Sequence, residues 1–461
     1  MRSFAAARDR VGGVDLRGRT LLVPSMHPAG AEFLAACFRA IGVPALVMET
    51  GTGLELGREQ TSGKECFPCQ LTLGDVLRHL RAERERLGPA FDPHDYAYFL
   101  PEATGPCRFG MYNKFQRLVL DRLGEFSEVP IAAVTTADSY SAEGLVPAAD
   151  ATRFRLMLFM TVVVADALDR IVWRARPYER EAGAVDALHA DAVARMARTV
   201  ELGGLRRDFE PFRRIVADAA REARALMNPE LPGRPRVGVI GEIYLRCHPY
   251  ANQDLVRDLE RHGAEVVVAS LAEWVTFITY CRIGEHRRRA GIHLRGRRLR
   301  SSRRSLKAWA GQAVEYRYLN RLRRGVYAGA LRHLDIADDH EVHRVERRLD
   351  RGRLFSFDVG TESVLSIGGA LESIAHGCDG IVNVYPFTCM PGTMSTAVLG
   401  PLLSKMQVPY LDVACDGTHR PGRETQLRTF VWQAAQRKEH AGGESGPRRA
   451  GATRSGGQGL S

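Results

Sequence analysis

The chain lacks any uncharged apolar run of the ~18 residues that a membrane-crossing helix needs. Its longest candidate, Leu156 to Leu168, is too short and contains Asp166, so no membrane association is expected. A secretory leader is missing as well: the basic start Met1-Arg2-Ser3-Phe4 meets further charges at Arg8, Asp9 and Arg10 before any apolar core of signal length. A cytoplasmic location is the expectation. Nor is there a disulfide framework, since nine cysteines is an odd number spread thinly over 461 residues, and thiols are expected to stay reduced. Cysteines placed in loops then point to metal or redox chemistry. The densest basic run, Arg287-Arg288-Arg289 through Arg303-Arg304, lacks the interleaved aromatics that stack on bases and sits in no recognisable nucleic-acid module. No nucleic-acid partner is expected, and a solvated helix face or a docking surface for an acidic protein or phosphates accounts for the run.

What is present is an ordinary globular composition, 45% hydrophobic and 26% charged with a net charge of +11. At roughly 100 to 200 residues per domain, the length points to two or three domains. Short apolar runs at Thr20 to Ser25, Ala45 to Glu49, Tyr96 to Leu100 and Ile131 to Thr136 read as strands. Helical spacing fills Gly30 to Ile41, Leu71 to Arg81 and Tyr112 to Leu123 between them, which predicts a parallel α/β domain over residues 1–148. Residues 149–235 read as a helical connector ending in the linker Asn228-Pro229-Glu230-Leu231-Pro232-Gly233-Arg234-Pro235. A second α/β domain spans 236–436, with strands at Val237 to Ile240, Glu265 to Ala269, Gly380 to Tyr385 and Tyr410 to Ala414 and a helix from Ser363 to His376. The Gly-, Ser- and Arg-rich residues 437–461 have little to bury and are expected to be disordered.

Chemistry concentrates in three loops. Cys66-Phe67-Pro68-Cys69 precedes a helix, and its Cys-x-x-Cys spacing suits zinc, an iron-sulfur cluster or dithiol redox equally. Helix N-terminal amides and Lys64 would favour the thiolate that each of these requires. Cys107 follows the strand ending at Leu100, and Cys389 follows the strand ending at Tyr385, the ends where open parallel sheets bind ligands. Cys37, Cys281 and Cys378 read as packing residues, with Cys247 and Cys415 between the two classes. Gly57-Arg58-Glu59-Gln60-Thr61-Ser62-Gly63-Lys64-Glu65 is not a phosphate loop, because its glycines are one residue too far apart and Glu65 replaces the magnesium-binding hydroxyl. Glu242, Tyr244, Arg246, His248 and Asn252 lie where the second α/β unit should open, and His248 alone among them has an ordinary pKa suited to proton transfer near neutrality.

Ser62-Gly63-Lys64-Glu65-Cys66-Phe67-Pro68-Cys69-Gln70, Thr104-Gly105-Pro106-Cys107-Arg108-Phe109-Gly110, Gly241-Glu242-Ile243-Tyr244 and Pro386-Phe387-Thr388-Cys389-Met390-Pro391-Gly392 together resemble the 2-hydroxyacyl-CoA dehydratase superfamily. The likeness is to the dehydratase-like region associated with ATP-dependent activases, and it runs from about Thr20 to Asp416. It implies two flavodoxin-like domains, and Cys66, Cys69, Cys107 and Cys389 as ligands of an iron-sulfur cluster, [4Fe-4S] or a double cubane. It further implies an ATP-dependent activase as electron donor, a CoA thioester or small molecule as acceptor, a homo- or heterodimer, and a role as a lyase or reductase component. A double cubane needs more thiols than these four, and Cys247 would supply a fifth. A non-catalytic metal-binding or scaffold protein is the alternative from another class.

Overall fold

A computed structural model describes residues 11–136, 140–205 and 208–443. Five short strands, β1 (Val11–Gly12), β2 (Thr20–Val23), β3 (Ala45–Val47), β4 (Tyr96–Phe99) and β5 (Ile131–Ala132), alternate with helices α1 (Pro28–Arg39), α2 (Leu54–Glu59), α3 (Phe67–Leu87) and α4 (Tyr112–Leu123). Every pairing is parallel, in the order β1-β5-β4-β2-β3. Leu21 and Val23 face one core while Leu22 faces the other, as the two-residue period of a strand dictates. The sheet is therefore covered on both sides, by α3 and α4 on one and by α1 on the other.

Three helices follow, α5 (Ala148–Ala175), α6 (Ala184–Gly203) and α7 (Glu210–Leu226). They share a continuous core with α1 and the first sheet, through Phe154, Met160, Val164, Leu168, Met196 and Val216. The second sheet contains β6 (Arg236–Gly241), β7 (Glu265–Val268), β8 (Gly380–Pro386) and β9 (Tyr410–Cys415), again all parallel, in the order β7-β6-β8-β9. Its connections carry α8 (Ile243–Cys247), α9 (Pro249–Asn252), α10 (Leu255–Arg261), the long hairpin α11 (Leu271–Arg295) and α12 (Leu299–Leu331), then α13 (Val342–Gly352), α14 (Glu362–Ala375), α15 (Met390–Lys405) and α16 (Arg423–Gly443). The α/β fold with two parallel, flavodoxin-like sheets thus stands as read from the sequence.

In each sheet the earliest of the four paired crossover strands lies inside. β2 sits between β3 and β4, and β6 between β7 and β8. The winding reverses there, which opens a crevice beyond the carboxyl ends of β2 and β4 and another beyond β6 and β8. Leu54, Phe67 and Leu71 of the first unit are buried in the core of the second, so the two crevices meet. The expected disorder from residue 437 is corrected in part: α16 continues to Gly443, and Lys438 Nζ donates to the carbonyls of Gly233 and Arg234. Residues 444–461 of that expectation lie outside the described residues.

Candidate metal centre

Each cysteine singled out by the sequence stands where a helix begins. Cys66 caps α3, and its carbonyl accepts from the amides of Cys69 and Gln70. Pro68 fits in the first turn because an amide there has no helical partner to lose. Cys69 follows in the same turn, 2% exposed. Cys107 caps the short 3-10 turn Arg108–Met111, and its sulfur accepts from the Phe109 amide at 3.5 Å. Cys389 caps α15, and its carbonyl accepts from the amide and the hydroxyl of Thr393. Gln116 of α4 donates to the Cys69 carbonyl at 3.2 Å and to the Thr72 hydroxyl at 2.9 Å, which fixes the first turn of α3. Donors aimed at sulfur and the positive end of a helix both favour a thiolate ligand.

One side chain joins the three loops. The Arg108 guanidinium donates to the Lys64 carbonyl and to the carbonyl and hydroxyl of Thr388, at 3.0 and 3.1 Å for the latter two. Lys64, Arg108 and Thr388 are next to or near Cys66, Cys107 and Cys389, so one planar fork spans segments hundreds of residues apart. Thr388 is held at φ +64, a left-handed conformation that a β-branched residue rarely adopts without strong local constraint.

The sulfurs also sense one another. Charge on Cys66 acts on Cys69 and Cys107, and charge on Cys107 acts on Cys389. Burial pushes Cys69 and Cys107 up to about 12 and raises Cys66 and Cys389. Protonated, buried thiols are poor nucleophiles at neutral pH, which argues against dithiol exchange at Cys66 and Cys69. A metal displaces such protons on binding. Thiolates around one tetrahedral ion with bonds of ~2.3 Å stand about 3.8 Å apart. Among the described residues, no three of these sulfurs gather within 4.8 Å of one another. That spread does not form a single-ion site, whereas a cubane binds each thiolate through a different iron and takes a wider set. The four residues therefore fit a cluster by donor type, with Cys66, Cys69 and Cys389 buried and Cys107 partly so. Cys247 lines the same cavity as Cys107, and the charges of Arg246, Asp166, Asp169 and Glu242 act on it.

A cavity of about 590 Å³ opens next to Cys107. Its walls are chiefly apolar, from Leu100, Leu156, Phe159, Val162, Trp274 and Ile278. Three carboxyls line it, Glu242, Glu315 and Glu362, and Glu315 is paired with Arg155 at 2.7 Å. Glu242 caps α8, accepting from the amides of Tyr244 and Leu245. Glu362 opens α14, and its Oε1 has no hydrogen-bond partner. Burial, then the charge of Glu242, pushes Glu362 up to about 8, while burial raises Glu242 against two amides that favour its anion, so Glu362 is the carboxyl that keeps a proton at neutral pH. The charge of Glu242, joined by that of Glu362 once it ionises, raises Cys66, Cys107 and Cys389.

The other nominated residues serve the frame. Arg246 donates to the carbonyls of Gly241 and Ser270, and Asn252 links the Leu245 carbonyl to the Leu255 amide. His248 caps α9 and contacts Thr50, and burial depresses it to about 4; it does not line the cavity. Tyr244 does, beside Glu242. Gly57, in the loop that imitates a phosphate site, lies inside α2, where an added Cβ would stand 1.9 Å from the Gln70 carbonyl oxygen. Cys37 and Cys378 are buried in apolar cores. Sequence reasoning did not single out Arg108 or Glu362. Arg108 stands inside the quoted Cys107 motif, and the Thr361-Glu362-Ser363 cap signal marks a helix start, but neither reveals what the side chain reaches. Neither protein-family models nor curated proteins give a match to this chain.

Proposed function

We propose that the chain is an iron-sulfur protein of the 2-hydroxyacyl-CoA dehydratase type. It holds its cluster on Cys66, Cys69, Cys107 and Cys389, accepts low-potential electrons from an ATP-dependent activase, and delivers them to a molecule in the adjoining cavity. When bound, such a cluster supplies single electrons at low potential. The acceptor is a CoA thioester or another small molecule, undergoing reduction or radical dehydration.

The observation that carries this reading is Arg108, whose fork ties together the loops of Cys66, Cys107 and Cys389 beside a cavity. The chain's own residues would do the rest. Apolar walls exclude water and favour an uncharged acyl or aromatic group. Glu362 holds a proton at its carboxyl near neutral pH and is placed to give it to an acceptor made more basic by the incoming electron. A purely structural metal would leave the cavity and Glu362 without a role. Anaerobic purification with iron and acid-labile sulfide analysis tests the proposal. Near-stoichiometric iron and sulfide in a brown protein support it, and bound zinc without iron, or no metal, rejects it.

A further inference from the structure

Outside the cysteine loops, the described residues bring three metal-ligating side chains together at one other place. Glu372 and His376 stand four residues apart across the end of α14, and His340 comes from the segment between α12 and α13. One ligand atom from each lies within 4.8 Å of the others. The two imidazole rings are 5.8 Å apart and tilted by 32°, a pair with no apolar packing reason to be polar.

The hydrogen bonds orient these groups. His376 Nδ1 lies 2.7 Å from the Glu372 carbonyl oxygen; a carbonyl only accepts, so Nδ1 carries the proton and the lone pair falls on Nε2. A second ring bond that fixes the tautomer is the usual support of a metal-binding histidine. His340 Nε2 lies 3.3 Å from the Ser373 hydroxyl. Glu372 is 4% exposed, and Arg348 Nε donates to its Oε1, leaving Oε2 to bind. The groups facing the site include the cations Arg348 and Arg170, and Arg170 is itself paired with Asp339 at 2.8 Å. The carbonyl end of α14 adds negative partial charge. His376 is exposed, so a further coordination position opens to water.

We propose that His340, Glu372 and His376 form a second metal site, mononuclear and separate from the cysteines, for a divalent transition-metal ion of the zinc class. Two imidazoles and one carboxylate with an open position suit such an ion rather than magnesium or calcium, which take oxygen ligands. The site pins the segment before α13 to the end of α14. That helix begins at Glu362 in the cavity, ten residues and about 15 Å away by helical rise, so the ion anchors the far end of the rod that positions Glu362.

The test titrates the anaerobically prepared, cluster-loaded full-length protein with Zn²⁺, and with Co²⁺ as a coloured probe. The wild type should bind one equivalent, with weak visible Co²⁺ bands and no thiolate charge-transfer band. His376→Gln, an exposed change that leaves the core untouched, should weaken binding at least ~10-fold, and Glu372→Gln should do the same. Equal affinity in wild type and His376→Gln overturns the site. So does failure of the wild type to take up either ion, or a Co²⁺ spectrum carried by thiolates. Iron and sulfide content, measured on the same samples, reports separately on the cysteine cluster.

Discussion

The two sheets share one winding and contribute unequally. In the first unit, the crossover after β3 and the loop after β4 bring three sulfurs, Cys66, Cys69 and Cys107, to the crevice. In the second, the corresponding strand ends bring one of the four nominated sulfurs, Cys389, together with Cys247, Glu242 and the neighbouring Glu362. Both units place a histidine before a proline after their first inner strand, His27-Pro28 and His248-Pro249, and each histidine caps a helix through Nδ1. The frame is thus repeated while the side chains are divided: three of the four nominated thiols come from one half, and the carboxyls Glu242 and Glu362 from the other. A parallel sheet fixes where its strand ends lie, and the residues set into those ends are free to differ.

The sharpest way to break that comparison is to remove one sulfur from each half. Cys107→Ser and Cys389→Ser should each lose most of the iron and sulfide, despite the three-to-one imbalance in sulfur supply. Retention of full iron in Cys389→Ser would reduce the centre to the first unit alone. Next in size is Gly57→Ala. Its Cβ meets the Gln70 carbonyl at 1.9 Å, and forcing α2 away from α3 should cost about 1–3 kcal/mol in chemical unfolding, with weaker cluster retention because Cys69 lies beside the displaced turn. Arg108→Gln, at an exposed position, should leave folding nearly unchanged while the cluster decays several-fold faster in air. An unchanged decay rate would show that the loops hold without the fork.

The smallest effect concerns the acid side of the division. Glu362 has a folded pKa of about 8 against an ordinary value of 4.5. The folded state therefore binds its proton more tightly than the unfolded state. Its contribution to stability is fully present below pH 4.5 and is lost as pH rises through 8. Thermal unfolding of the wild type should accordingly fall relative to Glu362→Gln between those limits, with parallel behaviour below them. Parallel curves across the whole range would mean that Glu362 is ionised like an exposed carboxyl.

Strands and helices with strong periodicity were legible in the sequence: Tyr112 to Leu123 is α4 residue for residue, and the four strands of the second sheet lie within a residue of their expected bounds. What escaped was helix disguised by its own turn residues. Pro391, Gly392, Gly400 and Pro401 hid α15, whose prolines are accommodated at its start and near its end. Pro68 likewise delayed the expected start of α3 from Phe67 to Leu71. The stretch after the strand at Val237 to Ile240 holds α8 and α9, too short for a periodic pattern and ended by Gln253 in the left-handed region. At the site, the Cys-x-x-Cys spacing nominated Cys66 and Cys69, and strand-end position nominated Cys107 and Cys389. Arg108 and Glu362 remained invisible because their importance lies in atoms from distant segments, which no local pattern encodes.

The fork of Arg108 also bears on how the protein is made. A nascent chain exposes the first three sulfurs early in synthesis, but the backbone oxygen that locks their loops against the second unit belongs to Thr388. Until that residue leaves the ribosome, the early cysteines stand in an unfinished pocket, open to oxidation and to stray zinc. On the proposed reading, metal loading waits for Thr388, and products truncated before it should emerge without iron.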